Sequence, residues 1–263
     1  MRDGFKNLAF RVAQIVGIDR SLRRVHRGKL KVLLYHNVES GTPRFDFAIP
    51  AAEFARHLQF LKQHCNVVSM TQAGEIVGMC QDRLNVLITF DDGFINNFEV
   101  AMPILQQHGL SATFFLVVDC LEAGSPPAFQ LDRLTPSDDP SDWRTITIDE
   151  MKEMRRAGMT IGSHSLSHTD SRQLGNEALV QEALQSRERM EALLGEPVGC
   201  FALPWGHHNP DQPERLLEVF DRVFLTTHGF TTATSRILPR NEVSSLAHLP
   251  HAVAGTVDLF RSD

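Results

Sequence analysis

Two adjacent carboxylates, Asp91 and Asp92, end an apolar run that spells Leu84-Asn85-Val86-Leu87-Ile88-Thr89-Phe90, and Gly93 follows them at once. Such a run has the composition of a buried strand, so the acids belong at a strand's C-terminal end. In sheets and barrels made of strand-helix units, that edge carries the polar groups that bind ligands. Neighbouring carboxylates repel, and one has its pKa raised unless the two share a cation. A metal ion is the simplest way to keep both ionised. Asp-Gly after an apolar run is also a hairpin signal. Here residues 96–105 read as a helix, with Gly109 as its C-terminal stop, so the spacing predicts strand, loop and helix.

A second chemical signal is Ile161-Gly162-Ser163-His164-Ser165-Leu166-Ser167-His168. Two histidines four apart lie on one side of a helical turn and can bind one ion. The pair is weak by itself in a chain with 12 histidines. It follows a short predicted strand, as the acids do, and joined to the acids it completes two imidazoles and one carboxylate. Such a set leaves coordination positions for water and substrate. A third stretch, Cys200-Phe201-Ala202-Leu203-Pro204-Trp205-Gly206, is again a strand running into a loop. Alone it reads as a capped strand end with a buried indole. Beside a metal site, backbone N–H groups after Pro204 could face an oxyanion, and Trp205 offers a stacking face for a sugar ring.

The elements that must position these residues alternate. Predicted strands cover 30–35, 66–70, 84–90, 112–118, 159–162, 198–203, 223–227 and 238–243. Helices are expected from about 51, with Phe54, Leu58 and Leu61 on one face, after a cap at Thr71, over 96–105, over 148–157, and over 176–194 with Gly195 as its stop. Between 119 and 146 the periodicity disappears into a proline-punctuated, acidic loop. Strand-helix alternation predicts a parallel sheet, and seven or eight strands favour a closed or nearly closed barrel.

The chain has 263 residues, ample for one α/β barrel, and a net charge of -6 that gives no reason to expect nucleic acid. Cys65, Cys80, Cys120 and Cys200 are widely separated and suggest neither a zinc knuckle nor a disulfide framework, so reduced thiols are expected. Residues 1–29 form a separate basic arm, in which Arg2, Lys6, Arg11, Arg20, Arg23, Arg24, Arg27 and Lys29 face only Asp3 and Asp19. Phe5, Leu8, Val12, Ile15 and Val16 fall at helical spacing there, as in a helix packed on the domain or resting on an anionic membrane surface. No apolar run suits a signal peptide or a membrane span, and the expectation is a cytoplasmic protein, peripheral to the inner face of the membrane through this arm.

Taken together and in this order, Thr89-Phe90-Asp91-Asp92-Gly93, His164-Ser165-Leu166-Ser167-His168 and the Pro204-Trp205 stretch resemble the polysaccharide deacetylase family, also called carbohydrate esterase family four. The resemblance spans about 31–260 within a catalytic domain at 30–263, and includes the Tyr35-His36 opening. It implies a distorted (β/α) barrel of about seven parallel strands and a divalent metal, most often zinc, on Asp92, His164 and His168. It further implies that Asp91 is the general base and that the Trp205 backbone N–H helps to hold the oxyanion. Many relatives carry an arginine before the proline of the third motif, where this chain has Phe201-Ala202-Leu203. Arg240, in a late Leu238-Pro239-Arg240 similar to exopolysaccharide-type relatives, is the candidate replacement. For the acid, Leu246-Ala247-His248 matches a late Leu-x-His, and His36, at the rim end of the first strand, is an alternative that would also meet substrate. The substrate implied is an N-acetylated amino sugar. A carbohydrate-binding protein that keeps the metal site, a deformylase on a lipid-linked sugar and an amidase on a non-sugar amide are the alternatives.

Overall fold

Strands whose residues are buried on both faces belong in a parallel sheet wrapped by helices. The computed structural model describes residues 26, 28–41, 43, 47–75, 83–125, 143–232, 234–243 and 249. The strands in chain order are β1 (Leu30–Tyr35), β2 (Asn37–Glu39), β3 (Ala48–Pro50), β4 (Asn66–Val67), β5 (Asn85–Phe90), β6 (Thr113–Leu116), β7 (Thr160–Ser163), β8 (Cys200–Ala202), β9 (Arg222–Leu225) and β10 (Ile237–Glu242). Seven of them, β1 and β5 to β10, close into a barrel of parallel strands in which β1 sits between β5 and β10. The expected (β/α) barrel is therefore the fold of this chain.

The two-residue strand β4 lies beside Asn85 and Val86, while β6 takes Thr89 and Phe90 on the same side of β5. β4 thus fills the lower half of one seam, which is why eight strand segments build a seven-strand wall. The small parallel pair β2 and β3 was not expected, because residues 41–50 read as a polar loop. That pair brings Phe47 back towards His36.

Alternation along the strands divides the apolar residues into two groups. Leu30, Val32, Leu87, Phe115, Ala202, Phe224 and Leu238 pack together as the barrel interior. Leu33, Tyr35, Val86, Ile88, Phe90, Phe114 and Val223 face the surrounding helices instead. Gly162 on β7 is required by this packing: a Cβ there would lie 2.6 Å from the Phe115 ring and 2.8 Å from Cys200 Sγ. The missing side chain is the space that Phe115 occupies.

The helices are α1 (Ala51–His64), α2 (Met70–Glu75), α3 (Met102–Gln107), α4 (Val118–Ala123), α5 (Ile148–Arg156), α6 (Asn176–Leu194) and α7 (Gln212–Leu216). α1 buries Phe54, His57, Leu58 and Leu61, the one-turn and two-turn spacing of an amphipathic helix. α2 is capped by Ser69 rather than Thr71: Ser69 Oγ accepts from Gln72 N and Gln72 Oε1 accepts from Ser69 N, a capping box. α4 occupies the start of the stretch expected to be an unbroken loop. The return of that stretch, at Arg144 to Ile146, hydrogen-bonds to Gly93 and Ile95 beside the paired acids. Among the described residues no helix is long and apolar enough to cross a membrane. The basic arm up to residue 25 lies outside the described residues.

Candidate metal centre and active site

Asp91 and Asp92 follow β5 at the barrel's C-terminal rim, and both are buried. Asp92 has φ 72° and Gly93 φ 70°, so the backbone turns sharply out of the strand into the next helix. A Cβ on Gly93 would lie 2.7 Å from Leu116 Cδ2 and would have to hold the left-handed backbone, so any larger residue there is strained. Left-handed backbone costs a non-glycine residue about 1–2 kcal/mol. Among the described residues four non-glycines adopt it, Asp92, Ser165, His168 and Trp205, and all four belong to this rim. Strain collected at one place in this way is the mark of a functional site.

His164 follows β7 directly, and its Nδ1 lies 2.9 Å from Ala202 O. A carbonyl only accepts, so Nδ1 carries the hydrogen and Nε2 is turned towards the acids. His164 Nε2 is 3.4 Å and His168 Nε2 3.2 Å from Asp92 Oδ1. The helical turn expected across 164–168 does not form. Left-handed Ser165 and His168 fold the segment into a tight loop instead, held by a hydrogen bond from His168 N to Ser165 Oγ at 2.9 Å.

One ligand atom from each of Asp92, His164 and His168 lies within 4.8 Å of the other two. Converging lone pairs of this kind need positive charge between them, either protons on the imidazoles or a divalent cation. Burial opposes both ionised forms here, yet the imidazoles hold the Asp92 carboxyl well below the usual carboxylate range, and Asp91 and Asp92 together raise the pKa of His164. Two imidazoles, one carboxylate and an ordered second partner behind His164 fit a zinc-type ion with open positions.

Asp91 is held differently. Arg240 on β10 donates from Nη1 to Oδ1 at 2.6 Å and from Nη2 to Oδ2 at 2.8 Å, a bidentate pair with the arginine fully buried. Its guanidinium carbon lies 5.4 Å from the centre of the Phe115 ring below. Burial disfavours the Asp91 carboxylate, but Arg240 and then His164 outweigh it, and its pKa lies below the ordinary value. Asp91 therefore keeps a charged, oriented carboxylate 3.7 Å from His164 Nε2 without being one of the three clustered ligands.

A cavity of about 220 Å³ opens over these groups, lined by Leu34, His36, Phe47, Thr226, Trp205 and Glu242 around the acids and histidines. Trp205 is 47% exposed, not buried, and its Nε1 donates to His168 O at 3.1 Å, fixing the indole at the rim. His36 stands against Phe47, with ring centres 5.4 Å apart, and its Nδ1 lies 3.7 Å from Glu242 Oε1. His248 lies outside the described residues. His207 turns away to Asp170 at 3.1 Å. The structure thus gathers Asp91, Asp92, His164, His168, Trp205 and His36 at one opening, with Arg240 buried behind Asp91. Glu242 was missed although it lies two residues beyond Arg240 on the same strand, and so on the same face. Phe47 carried no signal, since only the β2–β3 pairing brings it in.

Known proteins share this arrangement of the chain. Over 187 residues it is 25% identical to YxkH of Bacillus subtilis strain 168, a protein named provisionally as a polysaccharide deacetylase; the match covers 70% of this chain and 59% of that one. Among solved structures, IcaB of Ammonifex degensii superimposes with a TM-score of 0.69 at 23% identity, covering 87% of this chain and 96% of that one. The deacetylase PplD of Streptococcus pyogenes, solved with acetate, gives 0.67 at 20% identity over 89% and 99%. These distant structural likenesses concern the fold. Residues 79–218, over half of the sequence and including Asp91, Asp92, His164, His168 and Trp205, match the family model for polysaccharide deacetylases, and the chain belongs to that family.

Proposed function

We propose that this protein is a divalent-metal-dependent hydrolase that removes an N-acetyl group from an amino sugar of an exopolysaccharide or its precursor. The observation that carries this reading is a carboxylate, Asp91, locked in its ionised form by Arg240 beside a second carboxylate and two imidazoles. A binding module has no need of such a base. Asp92, His164 and His168 would hold the ion, zinc by donor type, which when bound supplies Lewis acidity and lowers the pKa of water towards about 7.

The protein's own groups account for the proton movements. Asp91 takes a proton from the attacking water as its oxygen bonds to the acyl carbon. As the C–N bond breaks, its electron pair stays on nitrogen, which must be protonated to leave as an amine. His36, on the cavity wall with Glu242 behind it, is the donor for that step. The exposed indole of Trp205 offers a flat apolar face to a pyranose ring. The basic arm supports a site of action at the cytoplasmic face of a membrane, on a soluble or lipid-linked glycan.

Acetate release from short N-acetylglucosamine oligomers tests the reading. Release should disappear on chelation, return with zinc, and fall by about 10²–10⁴ in Asp91→Asn, the usual size of a general-base contribution, with the ion still bound. Release that survives chelation would overturn it.

A further inference from the structure

The four residues after the Asp-Asp-Gly turn contain a device that the reaction above does not explain. Asn97 is fully buried, and its Nδ2 donates to the backbone carbonyl of His36 at 2.7 Å and to Asn96 Oδ1 at 3.1 Å. Asn96 Nδ2 in turn donates to Asn37 Oδ1 at 2.6 Å. Two consecutive residues of the β1 exit, His36 and Asn37, are thus gripped by two consecutive amides of the β5 exit. The aromatic side matches: Phe94 stacks on Phe47 at 6.3 Å, and Phe47 supports the His36 ring.

Two further features mark this as more than packing. Residues Asn97–Ala101 form a π-turn, with Met102 N donating to Asn97 O, before the chain settles into α3. Single π-turns are unfavourable and concentrate at functional sites. The network is also incomplete: among the described residues Asn97 Oδ1 and Asn37 Nδ2 are buried without a hydrogen-bond partner. An unpartnered buried polar atom costs about 1–3 kcal/mol, so a network serving stability alone would be expected to close.

We propose that Asn97 is a positioning residue for His36, and that the segment carrying the base also sets the place of the proton donor across the cavity. This rests on the reading of His36 given above. The path from Asp91 to Asn97 is six residues of one chain segment, so base and donor are referenced to a single rigid piece of backbone. Loss of the grip should misplace the imidazole without touching the ion or the base.

Two substrates separate this role from a structural one. An N-acetyl amino sugar needs its leaving nitrogen protonated, whereas a nitrophenyl acetate ester expels a stable phenolate without a proton. In zinc-loaded protein His36→Ala should abolish amide hydrolysis and spare the ester. Asn97→Ala should lower kcat for the amide about ten- to a hundredfold, the cost of a misplaced catalytic group, with KM, ester hydrolysis and zinc content unchanged. Asn97→Asp, equal in volume but an acceptor facing a carbonyl, should do the same. If either folded Asn97 variant loses amide and ester hydrolysis in parallel, or loses neither, the positioning role is overturned. If His36→Ala itself fails to separate the substrates, the donor assignment falls first and takes this role with it. Should both Asn97 variants fail to fold, Asn96→Ala, which cuts the grip on Asn37, decides by the same two rates.

Discussion

Arg240 and Asp91 form the buried pair on which the charge state of the site depends. The arginine is fully enclosed and spends both terminal nitrogens on one carboxylate, while Nε points to Leu225 O at 3.4 Å. Removing it leaves a buried carboxylate alone, which costs about 3–5 kcal/mol. Arg240→Met should therefore lower unfolding stability by that amount in urea titration. It should also move the acid limb of the pH-rate profile. With the arginine present the Asp91 pKa lies below the ordinary carboxylate value. Without it burial dominates and the pKa rises, so activity should be lost at higher pH than in the parent. Unchanged limbs would show that Arg240 does not govern the base. Arg240 was legible because its Leu238-Pro239-Arg240 stretch, in a late predicted strand, resembled the Pro-Arg of exopolysaccharide-type relatives. The left-handed backbone of Asp92, Ser165, His168 and Trp205 was not, because φ is imposed on such residues by tertiary contacts.

At the scale of elements, α5 bears the clearest local signature. Thr147 Oγ1 accepts from Glu150 N at 3.3 Å, Glu150 Oε2 accepts from Thr147 N at 2.7 Å, and Arg144 binds the same carboxylate through two nitrogens. Thr147→Ala should cost about 1 kcal/mol, measured by chemical unfolding. Arg144, aided by Thr147, brings the Glu150 pKa from 4.5 down to about 2. A depressed carboxylate stabilises the fold above its unfolded pKa and loses that contribution as pH falls through the folded value. Stability should thus decline from about pH 4.5 towards pH 2, less steeply in Glu150→Gln. The helix over 148–157 was read from its spacing, but its Thr147–Glu150 cap was not. The cap of α2 was placed at Thr71 instead of Ser69, because several hydroxyl residues stand at the start of each helix. The β2–β3 pair could not be read either, since a three-residue strand has no period of its own and forms only because its partner is nearby.

The whole barrel assembles the candidate ion site from distant strands. Asp92 comes from the β5 exit and both histidines from the β7 exit, so the unfolded chain does not hold them together. An ion that binds only the folded form stabilises it by mass action, about 2.7 kcal/mol at a hundred times its dissociation constant. Zinc should raise the thermal midpoint of the parent, and the rise should vanish in His168→Ala; a rise that persists would place the ion elsewhere. Barrel closure was legible from strand-helix alternation, but the seam was not, because nothing local states that β1 pairs with both β5 and β10.

That seam has a consequence for when the protein becomes competent. Arg240 stands 149 residues from Asp91, on the strand that closes the wall, whereas Asp92, His164 and His168 all precede it. A chain emerging from the ribosome presents the candidate ion ligands well before the counter-charge of Asp91. Until that strand joins the wall, Asp91 lacks the guanidinium that orients it, so its charge is set only when the barrel closes. Closing the wall and setting the charge beside the paired acids are thus one event, carried by the last strand among the described residues.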